Sequence, residues 1–225
     1  MERRDKIIMS VYACSDFHGY KDVYDKICKD LSKEDRVFFL GDAGDRGPQS
    51  WELIKEIYQN PQFIYLLGNH EDMLVDAMEE YLDKHTINES LELLKYNGGK
   101  DTFRGWLQET EQEREKWYNK LSRLSVIEEY INKNGFRIML SHAGYTPYQT
   151  IRPVKKNLIW DRKHLNDEWP IEAEDTIIIH GHTPVEYPPM FYADNHKIDI
   201  DCGTFKTGKA CLIDLNTLES KVYTI

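Results

Sequence analysis

Apolar positions in the first third of the chain follow two alternating periods. Short runs rich in β-branched and aromatic residues, Ile7 to Ala13, Arg36 to Leu40 and Phe63 to Leu67, read as strands. Between them apolar residues recur every three or four positions. Tyr20, Val23, Tyr24, Ile27 and Leu31 share one face of a first helix, and Trp51, Ile54, Ile57 and Tyr58 share one face of a second. The second starts at Pro48, whose fixed φ suits the first helical position. This βαβαβ order predicts a parallel sheet with helices on its faces.

From Glu71 to about Lys133 the pattern turns charged and helical, broken by Asn97-Gly98-Gly99, and predicts a helical insertion or lid. Strands resume at Phe136 to Ser141, Thr176 to His180, Lys197 to Asp201, Lys209 to Asp214 and Lys221 to Ile225. With no repeat or low-complexity linker, residues 1–225 read as one domain carrying 71–133 as an insertion.

Composition narrows the function classes. No apolar run approaches the about 20 residues that span a bilayer, so no membrane association is expected. The start offers a short apolar stretch without a small-residue cleavage site, so no signal peptide is expected either. Cys14, Cys28, Cys202 and Cys211 form no CxxC pair and sit in apolar contexts, which predicts free thiols and a cytoplasmic protein. A net charge of -10 argues against binding duplex nucleic acid, although carboxylates that hold metal ions would be locally neutralised. Nothing in the pattern fixes an oligomeric state.

The chemistry gathers just past the strand ends. The stretches are SDFHG (Asp16, His18), GDAGDRG (Asp42, Asp45, Arg46), GNHE (Asn69, His70, Glu71), SHAG (His142) and HGHT (His180, His182). Carboxyl ends of parallel strands line one crevice, so these residues should converge. Buried charges at that density need a partner, and metal ions answer the need. The interleaved glycines suit tight turns and close approach of backbone to an ion. A donor set of carboxylates, amide oxygen and imidazoles suits Mn²⁺, Fe or Zn²⁺ rather than Ca²⁺ or a thiolate-held zinc, and two ions fit better than one.

In order and spacing the five stretches resemble the calcineurin-like metallophosphoesterases, in particular the phosphoprotein-phosphatase branch with its small bacterial and phage members. The resemblance runs from Asp16 to about Gly203. It implies an α/β fold, a four-layer αββα sandwich, with two divalent ions, Mn²⁺ first among them. It also implies that Asp16 and His18 hold one ion, that Asp42 bridges both, and that Asn69, His142 and His182 hold the second. His70, oriented by Asp45, would be the general acid for attack by a metal-bridged hydroxide. Arg46 would bind phosphate, and Arg162 in LIWDR matches a later arginine of the bacterial members. Arginine suits that task because its planar fork donates two hydrogen bonds while carrying charge.

Each residue alone has a structural explanation: Asp16 or Asp42 as a helix cap, His142 as a core histidine, Arg46 in a surface ion pair. The ordered set outweighs these. His180 is expected to be structural, and His85, His164 and His196 solvated. Phe103, Trp106, Trp117 and Tyr118 are expected to form a small core, and Asn97-Gly98-Gly99 with Thr102 reads as a helix stop or a substrate contact. Leu67 stands where related members often carry arginine before GNHE, and the eukaryotic C-terminal segment with its active-site tyrosine is missing. The resulting expectation is a metal-dependent serine/threonine-type phosphatase acting on a phosphorylated protein or peptide. Its alternatives are a symmetrical bis(5'-nucleosyl)-tetraphosphatase acting on a nucleotide substrate and a non-catalytic scaffold that binds phosphorylated partners.

Overall fold

The computed structural model describes residues 9–84, 89–147 and 154–225. Two five-stranded sheets pack face to face. The first has the order β10-β9-β1-β2-β3 and the second β4-β5-β6-β8-β7. In the first sheet β1 (Val11–Cys14), β2 (Arg36–Phe39) and β3 (Phe63–Tyr65) run parallel, with Val11 opposite Arg36 and Val37 opposite Phe63. β9 (Lys209–Asp214) returns antiparallel to β1, and β10 (Ser220–Thr224) closes the edge. In the second, β5 (Arg137–Ser141), β6 (Thr176–His180) and β8 (Lys197–Asp199) are parallel.

Strand alternation explains the layers. Phe38 and Leu40 of the β2 segment point into a core shared with Ile138, Leu140, Ile177, Ile179 and Ile198 of the second sheet. Their neighbours Val37 and Phe39 point the other way, into a core made with helices. Those helices are α1 (Lys21–Asp30), α2 (Ser50–Gln59), α3 (Asn69–Lys84), α4 (Glu89–Tyr96), α5 (Lys100–Leu107) and α6 (Glu111–Leu121). The outer layer of the second sheet is thin: α7 (Lys155–Trp160) leads into short 3-10 turns over 163–173. Lys197 of β8, fully buried, anchors those turns by donating to the carbonyls of His164 and Asp167.

The helices after β3 join the main core. Met78, Leu94, Trp106 and Leu121 share one apolar cluster with Trp51, Ile54 and Ile57 of α2. Phe103, Trp106 and Trp117 are buried and Tyr118 packs against the same cluster, so these aromatics belong to the main core rather than to a small one of their own.

The helical reading of 71–133 fails at its end. β4 (Ile127–Ile131) is a strand antiparallel to β5, with Ile127 opposite Ser141. Its Ile-Glu-Glu-Tyr-Ile sequence carries charge because it is a half-exposed edge strand, and charge on an edge blunts unwanted pairing. β7 (Met190–Tyr192), on the opposite edge, is too short to leave a period and escaped notice. α2 opens at Ser50, two residues beyond Pro48. Of the first predicted strand, Ile7 and Ile8 lie outside the described residues, and pairing begins at Val11.

Trp106 is completely buried, with ring centroids 5.2 Å from Phe103 and 5.6 Å from Tyr81. Trp106→Ala is expected to lower unfolding free energy by about 3–5 kcal/mol, read from urea denaturation.

Candidate metal centre

Loops after β1, β2 and β3 of the first sheet and after β5 and β6 of the second meet at the seam between the sheets. Asp16, His18, Asp42, Asn69, His70, His142 and His182 are all buried there. The loops are locally strained. Asp16, His18, Asp42, Asp45, Arg46 and His182 all have left-handed backbone, with φ between 46° and 70°. That region costs a residue with a Cβ about 1 kcal/mol or more, so the surrounding fold holds these side chains where an open chain would not. Glycine makes the close approaches possible. A Cβ on Gly68 would overlap the Asp42 carboxylate, and one on Gly181 would overlap that of Asp16.

Hydrogen bonds fix which nitrogens carry protons. His142 Nδ1 lies 2.8 Å from the Leu40 carbonyl, which can only accept, so Nδ1 is protonated and Nε2 bears a lone pair. Burial holds the His142 pKa well below its ordinary value, so the ring is neutral. His182 is pushed down to about 3 by burial and by the Arg162 charge, and is neutral too. His142 Nε2 faces Asn69 Oδ1 at 2.8 Å and His182 Nδ1 at 3.2 Å, and His182 Nδ1 stands 2.9 Å from Asn69 Oδ1. Asp42 Oδ1 is 3.4 Å from His142 Nε2. Four donor atoms without enough protons to separate them are the geometry that a cation satisfies, so these residues fit a divalent ion.

A second group shares Asp42. Nε2 of His18, Nε2 of His70 and a carboxylate oxygen of Asp42 lie within 4.8 Å of one another, with Asp42 Oδ2 3.8 Å from each nitrogen. His18 Nδ1 is 3.0 Å from the Gly44 carbonyl, so its Nε2 is again the bare atom. Asp16 Oδ1 stands 3.9 Å from that Nε2, while its Oδ2 accepts from the Ser15 hydroxyl and from the His182 backbone at 3.1 Å. Burial and the Asp201 charge push the Asp16 pKa well up. Burial and the charges of Asp16 and Glu71 do the same to Asp42. Burial thus favours the protonated form of both carboxylates, which a cation would reverse.

Around these donors stand the groups expected to act on substrate. His70 Nδ1 donates to Asp45 Oδ2 at 2.7 Å. Asp45 in turn is held by Thr102, whose hydroxyl donates to Oδ1 and accepts from the Asp45 amide at 3.1 Å. The Arg46 amide donates to the Gly98 carbonyl at 3.0 Å. The segment 97–102 therefore holds the Asp45-Arg46 turn in shape, besides ending a helix. Arg46, His70, Arg162, Trp160, Phe205 and Lys206 line one cavity of about 400 Å³ over the donor atoms.

Glu71, in GNHE, has no role that its sequence context reveals. Its carboxylate accepts from the amides of Asp42 (2.7 Å), Ala43 (2.9 Å) and Gly68 (3.0 Å) and from the Tyr65 hydroxyl (2.7 Å), tying two ligand loops together. Trp160, Phe205 and Lys206 were not singled out, because one aromatic or lysine in a loop leaves no pattern. His180 faces away from the donor cluster, its Nε2 3.4 Å from that of His164. His164 is buried, contrary to the solvated reading, because the 3-10 turn that carries it covers the second sheet. His196 is half-buried and stacks on Trp169 at 4.9 Å, and His85 lies outside the described residues. All four cysteines are free. Among the described residues no helix is long and apolar enough to cross a membrane.

The sequence profile of the calcineurin-like phosphoesterases matches residues 9–206. The chain is 23% identical over 200 residues to the asymmetrical bis(5'-nucleosyl)-tetraphosphatase PrpE of Oceanobacillus iheyensis, covering 76% of this chain and 70% of that one. It is 28% identical over 187 residues to serine/threonine-protein phosphatase 2 of Salmonella typhimurium, covering 77% of each. A symmetrical bis(5'-nucleosyl)-tetraphosphatase of Buchnera aphidicola is 30% identical over 161 residues, which are 66% of this chain and 49% of that protein. Among solved structures, the cold-active protein-tyrosine phosphatase of a Shewanella species superposes with a TM-score of 0.58 at 18% identity, covering 96% of this chain and 80% of that one.

Two measurements probe the centre. Because Asp16 and Asp42 bind protons that an ion must displace, while the imidazoles are already neutral, Mn²⁺ affinity should fall with acidity, roughly tenfold per pH unit for each proton released. Calorimetric titration in buffers of different ionisation enthalpy counts those protons. Glu71→Ala strands three buried amides, so it should cost about 1–3 kcal/mol of stability and lower metal occupancy, read by denaturation and elemental analysis.

Proposed function

The chain belongs to the calcineurin-like phosphoesterase family, and from that premise we propose that it is a two-metal phosphatase that hydrolyses phosphate monoesters of serine or threonine in proteins or peptides. The observation that carries the reading is the His70–Asp45 pair, at 2.7 Å, set beside the shared Asp42 in a cavity that also holds Arg46 and Arg162. A mere binder of phosphorylated partners has no use for a histidine held in one tautomer by a buried carboxylate.

Asp16, His18 and Asp42 would hold one ion, and Asp42, Asn69, His142 and His182 the other, with Mn²⁺ the first choice and Fe or Zn²⁺ compatible with the same donors. Divalent ions there supply a strong nucleophile from water at neutral pH and positive charge against the phosphate. His70 does the remaining proton chemistry. With Nδ1–H committed to Asp45, its other nitrogen is the one that can hand a proton to the leaving oxygen, and the carboxylate stabilises the imidazolium that must form first. Arg46 and Arg162 reach into the cavity, where their forks can take non-bridging phosphate oxygens. We place the protein in the cytoplasm on its free thiols.

A second reading has its own support. Trp160 and Phe205 flank the cavity and Lys206 adds a third cation to it, a lining that suits a nucleobase and a longer phosphate chain as in a dinucleoside tetraphosphate. Parallel Mn²⁺ assays on a phosphoserine peptide and on diadenosine tetraphosphate, with a chelator control, separate the two. Turnover confined to the dinucleotide rejects the phosphatase reading. His70→Asn should lower kcat about 10²- to 10⁴-fold with metal content retained. An unchanged rate on a substrate with a poor leaving group would remove His70 from the general-acid role.

A further inference from the structure

Arg46 stands where the first ion would need to act. Its Nη1 donates to His18 Nε2 at 2.7 Å and its Nη2 to His70 Nε2 at 2.8 Å. Both nitrogens are bare, because His18 Nδ1–H is committed to the Gly44 carbonyl and His70 Nδ1–H to Asp45. The fork therefore spans two of the three converging donors of this half of the centre, with the third, Asp42 Oδ2, 3.8 Å from each nitrogen. The guanidinium also lies 4.4 Å from the centre of the Phe205 ring, in cation–π range. Phe205 touches His18 edge-on at 5.5 Å and sits on α8 (Thr204–Thr207), four residues between the left-handed Gly203 and Gly208.

We propose that Arg46 is an internal cation that competes with the first metal ion for His18, and that Phe205 is the positioning residue that holds it in that seat. A nitrogen lone pair serves one partner at a time, so an ion at Asp16, His18 and Asp42 requires the guanidinium to leave His18. The Arg46 backbone stays tied to Gly98, so only the side chain moves. Once displaced from His18, Nη1 has no lone pair to satisfy and is free for an anion. Phosphate capture by Arg46 is then coupled to metal loading. The inference rests on the metal assignment given under the proposed function and deepens it.

The test is calorimetric titration of the metal-free protein with Mn²⁺. Wild type is compared with Arg46→Met, Phe205→Leu and Arg162→Met. Arg46→Met should tighten one of the two binding steps tenfold or more and leave the other within about twofold. Phe205→Leu should tighten the same step several-fold. Arg162→Met removes equal charge from the His182 side of the same cavity without touching His18 and should leave the step that Arg46→Met tightens within about threefold. A gain in affinity is not something a damaged fold produces, so the readout separates competition from misfolding. If Arg46→Met does not fold, Arg46→Lys, whose ammonium reaches one lone pair rather than two, should give an intermediate gain. Unchanged or weaker binding in the Arg46 variants overturns the proposal, as does equal tightening by Arg162→Met, which would mark a long-range charge effect. No Mn²⁺ binding by wild type would overturn the metal assignment and this inference together, whereas two normal binding steps with no gain would overturn this inference alone.

Discussion

Lone pairs that face one another in a dry pocket repel, and a fold tolerates them only where something positive sits between. His142 Nε2, His182 Nδ1 and Asn69 Oδ1, all within 3.2 Å of one another, set that condition here. Much of the surrounding architecture follows from it. Tautomers are pinned by backbone carbonyls so that the bare nitrogens point inward, and the carboxylates beside them are buried without a lysine to neutralise them. One nearby cation, Arg46, already spans the other half of the cluster.

Holding such a cluster together requires a frame stiffer than the loops that bear it. Six left-handed residues and several buried acids would relax in an open chain, and they persist because the strands beneath are fixed by two apolar cores. Glu71 shows how local this stiffening is. One carboxylate at the start of α3 gathers amides from the loops after β2 and β3, so the helix that follows the third strand also sets the distance between Asp42 and Asn69. Thr102 and Gly98 do the same for the Asp45-Arg46 turn from the helical side.

The candidate site was legible where sequence order and spatial order coincide. A buried strand followed by a glycine-flanked polar cluster is a local pattern, and five repetitions of it placed Asp16, Asp42, Asn69, His142 and His182 at one end of the sheets. The central strands were legible for the same reason. The two edge strands of the second sheet were not, since β4 mixes glutamates into its apolar positions and β7 has only three residues. Nor were contacts made across the fold. Phe205 gains its meaning from Arg46, 159 positions earlier, and His164 is buried by a turn whose own sequence is polar. Burial of that kind belongs to the packing of layers, which no short window of residues records.

The site also straddles a boundary. Asp16, His18, Asp42 and Asn69 ride on one sheet, and His142 and His182 on the other. An ion held by Asp42, Asn69, His142 and His182 would thus be a rivet through the sandwich, and its coordination sphere would gauge how well the two halves are registered. Any slippage between them, from heat, a cavity or a truncated edge, would break the sphere before it melted either half, so loss of the ion would be the earliest symptom of a failing fold.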